Sequence, residues 1–419
     1  MLANYTMLKS EKQSGFIEQT FRIQVITPVF GGGVCSGRND EERHLKEPDL
    51  ITPIRGTAIR GQLRFWWRVL QREADSLKLW KEEKEVWGMA SSPGAVSIAV
   101  QQEGDRKVEP VFDVERKNEK SKWDFKPAQG MEPVAYAAFS LRPPENLRGR
   151  ETAPQAGALH RWKGHVNIRL RFPTGMKDQV TETLRAWLLL GGVGGRTRRG
   201  FGAVECDDLR VVDPATWLQQ KGFKFCLSGP TGNAMDALRL GLGKLQRFRQ
   251  GTGVGRNVGT DSRLRNKPGR SRWREPECIR SLMEQSDPQH RERFVNVDQF
   301  PRAAFGLPIN FHFASNRDPD DTTLKPVGFE RLASPLIIRP YRLNGDYGCL
   351  AALLPYRELN QVQLELVRKD QSGRRIPVSS VLTLEEARRY DKSPLRQQVD
   401  PLLAFLDFFQ LPENQERFP

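Results

Sequence analysis

Apolar and polar residues alternate along Phe21-Arg-Ile-Gln-Val-Ile26 and along His165-Val-Asn-Ile-Arg-Leu-Arg-Phe172, and each run predicts a half-buried strand. Gly94–Val100 and Val134–Leu141 also read as strands, and so does Ala203–Val212. Two stretches carry helical spacing instead. Ile59, Leu63, Trp66, Trp67 and Leu70 define one apolar face behind Thr57, which is predicted to cap the helix. Val180, Leu184, Trp187 and Leu188 define another over Gln179–Leu190. The resulting order, β-α-β-β-β-α, a glycine loop and a last strand, is close to a βαββαβ unit with one strand added. Residues 101–130 are rich in charge and poor in aliphatic side chains, which predicts a marginally ordered insertion or hairpin.

Asp213-Pro214 marks the expected boundary between two domains, 1–213 and 214–419. Beyond it the pattern predicts strands at Phe223–Leu227, Ala303–Phe313, Ser334–Arg339 and Cys349–Leu354. Helices are predicted at Met235–Phe248 and Pro401–Phe409. At 419 residues, two domains is the natural division.

Charge changes the picture most. The chain carries 66 Lys/Arg against 51 Asp/Glu, a formal net charge of +15 that calls for a polyanionic partner. Three clusters concentrate it. Arg239–Arg274 holds eleven basic residues and one acid, Asp261, and its part over 251–274 reads as a basic insertion, expected to be disordered without ligand. Thr52–Arg72 holds five arginines and no acid. Arg196, Arg198 and Arg199 sit in a glycine-rich run, Gly191-Gly-Val-Gly-Gly-Arg-Thr-Arg-Arg-Gly-Phe-Gly202.

Arg60, Arg64, Arg68 and Arg72 recur at every fourth residue, each step advancing about 40° around a helix, so they form one ridge. Like charges so spaced repel, which suggests that bound anions neutralise them. Glycines allow backbone N–H groups to converge on an anion, and arginines add bidentate contacts. Neither GxxxxGK[ST] nor GxGxxG is present, which argues against nucleotide hydrolysis. Phe248 and Trp273 interleave the first cluster, and Phe65, Trp66 and Trp67 the second. Rings among arginines suit single-stranded nucleic acid, although a solvated basic loop is the plainer account of any one cluster. Both tryptophans read as core, Phe65 reads as the stacking ring, and Phe201 could stack on a base or anchor the next strand.

Gly191–Gly202 is similar to the GGxGxRxRRGFG loop that follows the second helix in the RAMP superfamily of CRISPR-associated proteins. Within it, Ile54-Arg-Gly-Thr-Ala-Ile-Arg-Gly-Gln-Leu-Arg-Phe-Trp-Trp-Arg68 resembles a block of the family of first subunits of the type III-B (Cmr) effector complex. Thr27–Gly33, Phe300–Ile309 and Arg331–Arg339 also resemble blocks of that family, whereas Trp87-Gly-Met-Ala departs from its more usual Phe-Gly-Ser. The resemblance implies an α+β protein of two tandem ferredoxin-like (RRM-like, RAMP) domains. It implies a non-catalytic, cofactor-free role in antiviral defence, with CRISPR RNA, target RNA and other type III-B subunits as partners. Carried onto this chain, the RNA contacts would be Arg55, Arg60, Arg64 and Arg68 on the helix. Gly191, Gly192, Gly194, Gly195, Arg196, Arg198, Arg199, Gly200, Phe201 and Gly202 would supply the loop side, forming one groove with the helix.

The rival reading is a metal-independent endoribonuclease of the same superfamily, which needs a general base and acid at the scissile phosphate. Of the histidines, His44 is the best placed, while His160, His165, His290 and His312 have plainer structural roles. Asp40-Glu41-Glu42 reads as a solvated acidic loop. Five scattered cysteines (Cys35, Cys206, Cys226, Cys278, Cys349) form no CxxC, which points away from a zinc ribbon and towards a reducing compartment. With neither a leader-like start nor an apolar run of spanning length, a cytoplasmic protein is expected.

Overall fold

The computed structural model describes residues 15–31, 53–116, 123–143, 152–258, 269–288, 290, 299–313, 315–355, 362–368, 375–388 and 393–416. Chain contacts divide it into two units, Met1–Trp217 and Leu218–Pro419.

The first unit begins with β1 (Phe16–Val25), followed by α1 (Gly56–Gln71) and α2 (Ser76–Trp87). Next come β2 (Ser97–Pro110), β3 (Phe112–Arg116), β4 (Trp123–Pro127) and α3 (Glu132–Ala137). β5 (Ala158–Pro173), α4 (Lys177–Leu190), β6 (Val204–Glu205) and α5 (Pro214–Gln220), which reaches across the boundary, complete it. Four antiparallel strands pair in the order β2-β5-β1-β6. With α2 and the β3–α3 segment set aside as insertions, the path is β-α-β-β-α-β. Alternation in β1 sends Phe21, Ile23 and Val25 to the buried face, joined from β5 by Val166, Ile168, Leu170 and Phe172. Ile59, Leu63, Trp66 and Trp67 of α1 and Val180, Leu184 and Trp187 of α4 are buried in the same core, and the two helices pack on each other. The opposite face of the sheet carries Thr20, Arg22, Asn167 and Arg169 on its central strands.

Several sequence expectations change here. Val134–Leu141 is α3 plus a short 3-10 turn at Phe139–Leu141, because Pro133 starts a helix well and the alanines favour it. The strand expected over Ala203–Val212 ends after Glu205, where Asp207 and Asp208 enter a tight turn. Arg55, not Thr57, holds the N-cap position of α1, and no side chain caps it. Residues 101–110 are not marginal: β2 pairs with β5 all the way to Pro110 and Ala158. In that ribbon Gly104 faces Gly164, and both have positive φ (+112° and +139°). A Cβ on either would collide with backbone across the pair. Glycine at such a point marks a bend in a ribbon. Past the bend, His160 bridges Val29 through two backbone hydrogen bonds of 2.8 and 3.0 Å.

The second unit contains β7 (Lys224–Leu227), α6 (Ala234–Gln250), α7 (Glu275–Met283), β8 (Ile309–Phe311) and β9 (Thr322–Pro326). β10 (Leu336–Leu343), β11 (Asp346–Leu353), β12 (Leu364–Arg368), β13 (Arg375–Val378), α8 (Leu384–Arg388) and α9 (Pro401–Gln410) follow. One sheet has the order β10-β11-β7, the other β13-β12-β9-β8. Asn233 and Asp400 cap α6 and α9 by accepting backbone N–H bonds in the first turn. Gly241 lets α6 lie directly on β11, since a Cβ there would overlap Cys349 Sγ. Phe248 is fully buried amid Trp273, Phe305, Phe405 and Phe408, with ring centroids 5.3–5.9 Å away. Phe248 and Trp273, read from sequence as rings among arginines, are thus core. The strand expected over Ala303–Phe313 is a 3-10 turn, Pro301–Phe305, followed by the three-residue β8.

Candidate nucleic-acid interface

The arginine ridge of α1 is less open than its sequence suggests. α2 brings Glu83 beneath it, and that carboxylate, 4% exposed, accepts from Arg64 Nε at 2.6 Å and Arg68 Nη1 at 3.2 Å. Arg60 Nη1 donates to the Trp87 carbonyl at 2.7 Å. Burial, and secondarily the neighbouring Arg64, pulls the Arg60 pKa below the ordinary arginine value. The expectation that only bound anions could neutralise the ridge is therefore corrected: an acid from the adjoining helix does much of it. Arg60 and Arg64 still border an open cleft of about 390 Å³ with Gly88, Met89 and Ser92, the turn where the sequence departs from the resembled pattern.

The glycine loop leaves α4 at Gly191 and is built for close packing. Gly191 lies against the Trp66 and Trp187 side chains, and Gly192 against the Gly202 backbone, so neither position has room for a Cβ. Gly194, Gly200 and Gly202 take positive φ (+78°, +76° and +60°), and Arg196 shares the left-handed region at +54°. Thr27 ties the loop to β1: its hydroxyl donates to the Gly200 carbonyl at 2.6 Å and accepts from Ala203 N–H at 2.8 Å. The N–H groups of Gly191, Gly195, Gly200 and Gly202 bond to the carbonyls of Trp187, Phe30, Thr197 and Pro28. These four are accordingly not the anion-cradling donors that a glycine-rich loop suggests; chain carbonyls already satisfy them. Phe201 is fully buried 5.7 Å from Phe30, so it anchors the loop and is withdrawn as a stacking ring.

The arginines of the loop have separate settings. Arg196 reaches the Ala137 carbonyl at 2.6 Å and the Ser140 hydroxyl at 3.2 Å, with its guanidinium 5.2 Å from the Phe30 ring centre. Arg198 stands 5.6 Å from the ring centre of Phe65, which joins the loop to α1. Its own burial lowers its pKa from the usual arginine value, so it is a partly dehydrated cation. Arg199 bonds to the Arg198 carbonyl.

Helix and loop do meet at a cleft of about 350 Å³, lined by Arg55, Ala58 and Gln62 from the start of α1 and by Phe30, Gly194 and Gly195. The first turn of α1 has no acidic residue and no side-chain cap, so among the described residues no acid or cap offsets its free N–H groups and positive dipole end. Arg55 Nε is buried there with no hydrogen-bond partner among the described residues. A buried donor left unmatched costs on the order of 1–3 kcal/mol, which an anionic oxygen would recover. This cleft, not the ridge, is the site best fitted to a phosphate.

The basic insertion does not behave as one surface. Arg272 and Arg274 are buried: Arg272 donates to the Gly253 carbonyl and Asn257, and Arg274 to Gln299 and the Glu386 carbonyl. Disorder was expected over 251–274, yet 251–258 and 269–274 are ordered around Trp273, while 259–268 lie outside the described residues. His44, Cys35 and the Asp40–Glu42 run also lie outside them. His165 Nδ1 pairs with Arg22 at 3.1 Å, His312 with Asp321 at 2.6 Å and His290 with Glu277 at 2.7 Å, and His160 is buried. Among the described residues no group of three or more His, Cys, Asp or Glu could hold a metal ion. In the same residues no helix is long and apolar enough to cross a membrane. Glu83 and Gln62 were missed from sequence. An acid on the next amphipathic helix was the available signal for Glu83, while Gln62 gave none.

Residues 22–205 match the model of the RAMP superfamily, a stretch running from β1 through β6. That stretch, a mixed helix-and-sheet unit holding both the α1 ridge and the glycine loop, is what the chain shares with the RAMP superfamily. No curated protein matches the chain. Among solved structures, apo Cmr1 of Pyrococcus furiosus is similar, at 15% identity and a TM-score of 0.43 over 86% of this chain and 94% of that one. A chain of the type III-B Cmr-beta complex bound to cognate target RNA is 12% identical, at TM-score 0.29 over 46% of this chain and 59% of that one. Cmr6 of Pyrococcus furiosus is 11% identical, at TM-score 0.21 over 46% and 98%.

Proposed function

We propose that this chain is a non-catalytic RNA-binding subunit of a type III-B CRISPR effector complex, acting in antiviral defence. It holds the 3′ portion of CRISPR RNA, incoming target RNA or both, together with other effector subunits and without a membrane. The observation that carries this reading is the Arg55 cleft, where an unmatched buried guanidinium donor, an uncapped helix start and the glycine loop converge. The loop arginines Arg196, Arg198 and Arg199 extend the same surface, with Arg60, Arg64 and Arg68 along its flank.

Both domains are read as ferredoxin-like. The order β2-β5-β1-β6 with two crossover helices supports this in the first, and β10-β11-β7 repeats its first three strands in the second. Binding without cleavage is favoured because the described histidines are either buried or paired with Arg22, Asp321 or Glu277, and none lines the cleft.

The test is binding of end-labelled single-stranded RNA by the full chain across a salt series, with cleavage read on the same samples. Four to six neutralised phosphates give a log–log slope of roughly −3 to −4. Arg55→Glu and Arg198→Glu, confirmed folded by thermal melting, are each expected to weaken binding about tenfold or more. Unchanged binding in both would remove the proposal. Discrete RNA products would replace it with the endoribonuclease reading.

A further inference from the structure

Phe139 is 58% exposed, although Ala137, Ala138 and Leu141 around it are buried. Its turn lies beside the glycine loop, because Arg196 clamps the Ala137 carbonyl and the Ser140 hydroxyl on either side of it. Arg142 stands 5.8 Å from the centre of its ring and is itself held by Asp124 at 2.8 Å. Arg142 Nε is buried with no hydrogen-bond partner among the described residues, a second unmatched donor on this edge. An outward ring between two positioned guanidinium groups has the elements of a single-stranded nucleic-acid contact: a π-face for a base and cations for the flanking phosphates. The sheet does not offer this. The central positions of its open face are Thr20, Arg22, Asn167 and Arg169, where sheet-based RNA binders present aromatic rings. Among the described residues of the unit, the other exposed rings, Phe16 and Trp80, lie against Arg171 and Lys84.

We infer that Phe139 is a base-stacking platform for single-stranded RNA, placed beside the glycine loop so that a strand crossing Arg196 sets one base on the ring while Arg142 meets a phosphate. This rests on the RNA-binding reading proposed above and adds a residue that recognises bases instead of charge.

The test compares the full-length protein with its Phe139→Ala and Phe139→Trp variants on fluorescein-labelled oligouridylate and on an oligomer of equal length with abasic sites. Stacking predicts that Phe139→Ala weakens oligouridylate binding about tenfold with an unchanged salt slope. Phe139→Trp should bind at least as well as the parent. All three proteins should bind the abasic oligomer alike. Equal oligouridylate affinity for parent and Phe139→Ala, or an equal loss on the abasic oligomer, overturns the inference while leaving RNA binding intact. If the parent itself binds neither oligomer, the RNA-binding reading fails, and this inference fails with it.

Discussion

Glu83 decides how the arginines of α1 can be used. A carboxylate under two guanidinium groups converts a self-repelling row into a fixed surface, and removing its charge returns the repulsion. Both arginines are a third or more exposed, which screens the effect, so Glu83→Gln is expected to cost about 1–2 kcal/mol, read as a lowered Tm. Phe201 gives a harsher test of the loop. Truncating this fully buried ring to alanine should cost about 3–5 kcal/mol by thermal or denaturant unfolding. The arginines and glycines of this region were legible from spacing alone, but their assignments were not. Gly202 has positive φ because the chain turns back there against Val193, a contact between positions separated along the loop that spacing does not report.

At the scale of elements, legibility followed the strength of the periodic signal. α1, α4, α6 and α9 were readable because their apolar faces are continuous, and β1 and β5 because they alternate. Short segments went wrong where one residue outweighed the pattern, as Pro133 did in making a helix of an apolar run. The charged arm of β2 was misread because its order comes from fourteen backbone pairings with β5, which side-chain composition does not report. The α6–β11 contact gives a direct check on packing. Complete burial drives the Cys349 thiol up to about 12, so it stays protonated and unreactive until the contact opens. Iodoacetamide should label it only in denaturant, as followed by mass spectrometry. Gly241→Ala should expose it earlier, because a Cβ cannot fit between helix and strand.

Over the whole molecule, a surplus of +15 divides into cations that hold the fold and cations available to a ligand. Arg272 and Arg274 belong to the first class, Arg55 and Arg198 to the second by the reading given above. Arg274→Ala is therefore expected to lower Tm by several degrees, leaving Gln299 and the Glu386 carbonyl without their donor, whereas Arg55→Ala should spare Tm and weaken RNA binding. Net charge raised the expectation of a polyanionic partner but could not sort one class from the other, since burial depends on packing partners far along the chain.

The facing pair Gly104 and Gly164 has a practical consequence for any survey of random variants. The ribbon they bend carries His160 to Val29, and the adjoining Phe30 bridges Gly195, so the floor of the cleft is inherited from a pair that need touch no RNA. Substitutions at either glycine should score as binding-deficient in such a screen. Read as contacts, they would assign ligand binding to a glycine pair whose role is to bend the ribbon.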